Sequence, residues 1–212
     1  MKLSLVVLAA VALLLQSGCV TEQRTYALTI PSGQLPAPTK GSVYIAGVTD
    51  DREFQEHASD PSVPSADPTA PVPASNDRLI GRQRNGLGQA KGDITLPDND
   101  SVARRARLLV EEGLRRAGYS VTSEPEGAMP VTISVEKFWA WMSPGLGLLN
   151  FEAKIACRVM VKTNAGNFTF VVWGFGKTHG AVSRAANWQE AYEPAFQEFF
   201  LNLKREMARV SR

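Results

Sequence analysis

From Phe151 to Lys162 the chain alternates. Phe151, Ala153, Ile155, Cys157, Val159 and Val161 interleave with Glu152, Lys154, Ala156, Arg158, Met160 and Lys162. A period of two marks a strand with one buried and one wetter face. Runs rich in β-branched and aromatic residues predict further strands over 42–48, 119–122, 131–141, 148–163 and 167–177, with short candidates at 26–30 and 92–96. Residues 164–167 predict a hairpin turn between the last two long strands. Two stretches change period. Val102, Ala106, Leu109, Val110, Leu114 and Ala117 fall at helical spacing, with N-cap candidates over 98–101 and Gly118 as a stop. Trp188, Tyr192, Ala195, Phe199, Leu203 and Met207 mark a second helix over 187–210, with Asn187 and Glu190 as a capping box. Pro194 is expected to kink it or to mark where its regular part begins.

The order strand, excursion, helix, strands, helix predicts an α+β domain: a mixed, mainly antiparallel sheet with both helices on one face. The excursion is 50–76, dense in Pro, Asp, Ser and Ala, with Pro61, Pro64, Pro68, Pro71 and Pro73. So little apolar surface predicts a mobile segment, with 55–76 as a disordered insert.

The amino terminus has a different pattern. Lys2 precedes an apolar stretch over 5–15, and Ser17 and Gly18 precede Cys19. A basic start, a short apolar run and small residues form a secretory signal, too short to span a membrane. Small residues directly before a cysteine resemble the lipobox of bacterial lipoproteins. Gln16 departs from it, since Leu is usual three places before the cysteine and here stands at Leu15. The resemblance implies that Cys19 is acylated and becomes the first mature residue, with 19–40 as a tether and 41–212 as the domain. Ordinary cleavage near Ala10–Ala12 is the alternative. Val20 in place of an Asp resembles the outer-membrane sorting pattern, with the domain facing the periplasm.

Composition narrows the function. The full chain of 212 residues has 23 basic and 21 acidic side chains, and removal of 1–18 takes away only Lys2, leaving a charge near +1. Bulk attraction to nucleic acid or an anionic membrane is therefore not expected. Two cysteines and two histidines make neither a disulfide framework nor a metal site. Neither G-x-S-x-G, HExxH, paired CxxC nor a P-loop occurs, and Cys157 faces inward on its strand, so no enzyme activity and no cofactor is expected. Asp50, Asp51 and Glu53 read as a solvated strand end rather than a metal cluster.

Two features are candidate binding surfaces. The run 79–91 is basic and Gly-rich. Arg82 and Arg84 on a loop could grip a carboxylate or phosphate, or could pair with nearby Asp. The second is aromatic. Val131, Ile133 and Val135 define the core face of their strand, and an unbroken register drives Lys137 inward. A bulge near Glu136–Lys137 puts Phe138 and Ala140 inside and Trp139 and Trp141 outside. Trp173 and Phe175 lie on the outer face of a later strand, so the four could form an exposed patch. Alternatively they pack under the helices or the excursion.

SVYIAGVTDDREF (42–54), IGRQRNGLGQAKGDITL (80–96), LRRAGYSV (114–121) and EKFWAWMSPG (136–145) resemble the YajG-type family of bacterial lipoproteins over 40–205. Relatives carry the label flagellar biosynthesis protein or uncharacterised lipoprotein. The resemblance implies an anchored α+β envelope domain without known catalysis. The expectation is a non-enzymatic binding or assembly module, outer-membrane anchored through Cys19, whose partner is an envelope protein, of the flagellum for example, or peptidoglycan. The alternative is a structural lipoprotein that self-associates through its aromatic face.

Overall fold

The computed structural model describes residues 24–33, 35, 37–56, 58–66, 75–85, 89–145 and 147–210. The signal, Cys19 and His57 lie outside them. The strands are β1 (Arg24–Thr25), β2 (Ser42–Asp50), β3 (Gln55–Glu56), β4 (Ser65–Ala66), β5 (Leu79–Arg84), β6 (Ala90–Thr95), β7 (Ser120–Val121), β8 (Met129–Pro144), β9 (Leu149–Thr163) and β10 (Gly166–Gly180). The helices are α1 (Val102–Arg116) and α2 (Ala185–Val210). The fold is α+β, with a mixed sheet.

Long β8 organises the sheet. One edge pairs antiparallel with β9, which pairs antiparallel with β10. The other edge is shared end to end: β2 pairs parallel with its first half, ending at Asp50↔Val135, and β5 pairs parallel with its second half, starting at Gly81↔Ala140. The excursion therefore leaves the sheet where β2 ends and returns a few residues further along the same neighbour. β7 extends the sheet beyond β2, and β6 and β1 extend it beyond β5.

Both helices pack on one face over a core that includes Val131, Ile133, Val135, Phe138, Ile155, Val159, Val172, Leu109, Tyr192 and Phe199. Ser101 caps α1, its side chain accepting from Arg104 N, and Gly118 at φ +94° follows the helix end. α2 begins at Ala185, two residues before the expected start, and Asn187 Oδ1 accepts from Arg184 N at 3.0 Å. It runs on through Pro194, which is exposed, so the carbonyl left without a donor can meet water. Gly174 and Gly176 let α2 rest on β10: a Cβ on either would lie 2.0 Å from the carbonyl oxygen of Ala195 or Ala191.

The amino-terminal segment differs from a free tether. Leu28 is buried in the core, and only Arg24–Thr25 forms a strand, parallel to β6. Residues 26–30 run on as an irregular strap. Thr29 N donates to Gln189 Oε1 at 2.9 Å and Gln189 Nε2 donates to Thr29 O at 3.1 Å.

Candidate functional site

The bulge falls at the expected place. The β8–β9 register shifts between Val135 and Lys137, so Glu136 is the extra residue. Phe138 and Ala140 consequently enter the helix-side core, and Trp139 and Trp141 turn to the opposite face. That face is not bare there. The excursion folds across it and joins Phe54 and Ala66 to Leu79, Trp139 and Trp141 in a second apolar cluster. Trp139 is fully buried; its ring meets Phe54 edge-on at 6.2 Å and its Nε1 donates to Pro61 O at 3.0 Å. Trp141 is also buried, and its Nε1 donates to Glu152 Oε2 at 2.9 Å. Of the two readings of these aromatics, packing under the excursion describes Trp139 and Trp141, and exposure describes Trp173 and Phe175. Trp139 and Trp141 form the floor of a covered cluster: the described part of the excursion supplies apolar cover and, through Pro61 O, the acceptor for the Trp139 indole, while the Trp141 indole is met by Glu152 on β9. Within the excursion, residues 55–56 and 65–66 form β3 and β4, Pro61 and Ala66 contribute to this cover, and His57 and 67–74 lie outside the described residues.

Arg82 and Arg84 also sit elsewhere than expected. Both are on strand β5 and both are buried, not on a solvated loop. Arg82 Nε donates to Asp93 Oδ1 at 2.9 Å, and Arg84 Nη2 donates to Ala58 O at 2.7 Å. Of the two expected roles, pairing with Asp describes Arg82. Burial, and after it the neighbouring Arg82 charge, holds the Arg84 guanidinium below its ordinary pKa. Asp93, Arg82, Trp141, Glu152 and Lys177 are register partners across five strands and make one polar row over this face. Lys177 Nζ lies 3.5 Å from Glu152.

What stays open is the outer face of β9 and β10. Trp173 is 43% exposed and Phe175 39%, with Val171 and Met160 exposed beside them. Phe175 lies 6.3 Å from the Trp141 ring, which ties the open strip to the covered cluster. Cations border the strip: Lys154, Arg158 and Lys162 alternate along β9, and Arg158 pairs with Glu136. Burial, then Lys154, lowers the pKa of Lys137 at the bulge. A surface of this kind suits a partner with apolar side chains and acidic groups at its rim.

The acidic strand end is built into the fold. Asp50 accepts from Arg52 Nε at 2.7 Å. Asp51 accepts from Ser134 Oγ and, at 2.9 Å, from Thr49 Oγ1, and these bonds hold its pKa below the ordinary value. Arg52 itself is the residue that sequence patterning missed. Its only signal is an Arg just after two Asp at a strand end, which does not show that its guanidinium bridges two distant strands. Cys157 is fully buried, which drives its thiol pKa up. His179 is exposed on β10 opposite Asn150. Among the described residues no three His, Cys, Asp or Glu side chains gather as a metal site, and no helix is long and apolar enough to cross a membrane.

Comparison with known proteins places two solved structures beside this chain. One is a Xanthomonas campestris protein assigned to the family DUF330, with 13% identity, a TM-score of 0.40, and coverage of 89% of this chain and 98% of the other. The second is an uncharacterised protein with 10% identity, a TM-score of 0.35 and the same coverages. No family model matches the sequence, and no curated protein matches it.

Proposed function

We propose that this chain is a non-enzymatic binding module of the bacterial cell envelope, a YajG-type lipoprotein anchored through acylated Cys19 in the outer membrane. Its contact surface is the open strip of Trp173, Phe175, Val171 and Met160. The observation that carries the reading is the pairing of Trp173 and Phe175 on one exposed face, two large aromatic side chains left out of a core that buries Trp139, Trp141 and Trp188. Aromatic residues supply large contact area and are enriched where binding energy concentrates. The bordering Lys154 and Lys162 favour a partner with acidic groups. The partner is an envelope protein. Peptidoglycan, whose polar strands bury little apolar area, fits the strip less well.

The test is site-specific photocrosslinking in the native cell, with a benzoylphenylalanine at 173 or 175 and a control at Leu201, which is 69% exposed on α2. Adducts to one envelope protein from 173 and 175 and none from 201 support the reading. Adducts only to a second copy of the chain replace it with self-association. Equal yields from all three positions sink it. Palmitate labelling lost in Cys19→Ser tests the anchor separately.

A further inference from the structure

The segment between Cys19 and the domain is short, and the fold fixes where it enters. The chain is held from its first described residue. Arg24 and Thr25 pair with β6, Tyr26 N donates to Thr95 O at 2.8 Å, and Leu28 is in the core. Residues 20–23 alone separate Cys19 from Arg24. An extended chain covers at most about 3.6 Å per residue, so Cys19 lies within about 18 Å of Arg24. β1 runs parallel to β6, so the chain enters β1 from the end of the sheet where β6 begins. Register shows which end that is. Arg24 is level with Ile94, Gly81, Ala140 and Ala153. Ahead of that row in the same direction lie the β5–β6 connection, the β8–β9 connection and the end of β10.

That end of the sheet is poor in charge. The connections 85–89 and 145–148 contain no charged residue, and 181–184 contains only Arg184. Leu148 is 47% exposed and Val182 50%, and they flank Gly180↔Leu149, the last pair of the β9–β10 ladder. Leu148 stands five residues along β9 from Ala153. That is a rise of about 17 Å, which matches the reach from Arg24 to Cys19. Acyl chains on Cys19 therefore bring this end, rather than either face of the sheet, to the bilayer. We propose that the sheet end carrying Leu148 and Val182 docks on the lipid surface, with these two side chains entering the boundary between headgroups and acyl chains. The proposal rests on the acyl anchor at Cys19 and is independent of the outer-face strip. Two apolar side chains would hold a free chain weakly, but a short tether makes the contact intramolecular and keeps it populated. Arg184 is exposed two residues after Val182, where lipid phosphate would lie. Trp173 pairs with Ala156, eight residues along β9 from Leu148. The strip thus stands about 26 Å from the docked end and stays clear of the lipid.

The test reconstitutes the acylated full chain in phosphatidylcholine vesicles. A nitrobenzoxadiazole probe is placed on Leu148→Cys, Val182→Cys or, at the opposite end of the β9–β10 ladder, Ala165→Cys. All three positions are exposed and Cys157 is buried, so the introduced thiol takes the probe. A doxyl-labelled lipid is expected to quench the probe at 148 and 182 at least about twofold more than at 165, with blue-shifted emission at those two positions only. Adding Leu148→Asp to Val182→Cys is expected to remove about half of the quenching or more, because a carboxylate opposes entry into lipid. Equal quenching at all three positions, or quenching at 182 that Leu148→Asp leaves unchanged, would overturn the proposal. So would shielding at 148 and 182 without doxyl quenching, which marks a protein or a second copy of the chain on this end. Flotation reads the anchor separately. A chain that floats without quenching at 148 and 182 overturns the docking alone, and one that stays in the soluble fraction overturns it together with the anchor. None of these outcomes bears on crosslinking at 173 and 175.

Discussion

The guanidinium of Arg52 donates from Nη1 to the backbone oxygen of Leu79 at 2.5 Å and so spans the gap where β2 stops and β5 begins. The same Nη1 donates to Phe138 O at 3.1 Å, and Nη2 donates to Asn76 O at 2.6 Å. β8 would otherwise face an interrupted neighbour here, with carbonyls lacking a ladder donor. Asp50 balances the charge and Phe54 covers the guanidinium at 5.0 Å. One side chain thereby supplies the hydrogen bonds of the missing strand pairing and fixes both ends of the excursion.

Arg52→Met keeps much of the apolar stem but removes the guanidinium donor of Leu79 O and Phe138 O and the counter-charge of Asp50, while Asn76 O keeps Leu79 N at 3.3 Å. Unsatisfied buried groups cost about 1–3 kcal/mol each, more beside a charge. The expected loss is roughly 3–5 kcal/mol in urea denaturation. Arg52→Lys is expected to recover little of it, because a point ammonium cannot reach along three directions as a planar fork does. A midpoint within experimental error of the parent chain for Arg52→Met would show that the gap does not need filling.

The two tryptophan classes should separate cleanly. Trp139→Ser removes a fully buried indole and its bond to Pro61 O, and is expected to cost about 3–5 kcal/mol. Trp173→Ser changes an exposed side chain and is expected to stay within about 0.5 kcal/mol. Thermal melts of both variants provide the comparison. Equal losses would mean that the outer face of β10 is covered in solution.

The contrast also shows how far patterning reaches. The Glu136 bulge was legible, because an unbroken alternation from Val131 would have buried Lys137. The orientation of Trp139 followed from it. Its burial did not, since that depends on Phe54, Pro61 and Ala66, which meet β8 only through long-range packing of a Pro-rich segment. In 79–84 the alternation of Arg82 and Arg84 is a strand period, yet Gly81 and Gly86 make the stretch look like a loop. Partners for the two arginines come from Asp93 and Ala58, on separate parts of the chain. The strip Trp173–Phe175 was readable locally, because alternation with Gly174 assigns both to one face.

Gly174 and Gly176 set the distance between α2 and β10. Either one changed to Ala would bring a Cβ within 2.0 Å of helix backbone, which cannot rotate away as a side chain can. Overpacking of this kind usually costs about 1–3 kcal/mol, and a backbone clash belongs at or above the top of that range. Far-UV melting of Gly176→Ala is expected to show a single transition shifted well down. An unshifted transition would mean that α2 moves off the sheet freely.

Cys157 gives a reporter of global opening. It is fully buried, and burial, with Glu136 and Asp50 as lesser causes, raises its thiol pKa. The thiolate is the reactive form, so native Cys157 should be inert to iodoacetamide at neutral pH. In Cys19→Ser, where it is the sole thiol, its labelling rate is expected to rise in step with the unfolded fraction across a urea series. Rapid labelling without denaturant would point to local opening of β9.

β10 pairs only with β9 among the described strands, so its far side would present backbone groups to other chains. At the centre of that edge α2 answers them: Phe175 N donates to Glu198 Oε2 at 2.7 Å, and Asn202 Nδ2 donates to Trp173 O at 2.8 Å. The aromatic strip thus stays available on the face while two backbone groups at the middle of the edge beneath it are already engaged. Changing Glu198 and Asn202 together to Ala removes both caps and leaves the faces of Trp173 and Phe175 untouched. The double variant is expected to sediment as a larger, concentration-dependent species than the parent chain, with association suppressed by Val171→Lys on the same edge strand. If its sedimentation matches the parent chain at every concentration, Glu198 and Asn202 serve to seat the helix and the edge is guarded by other means.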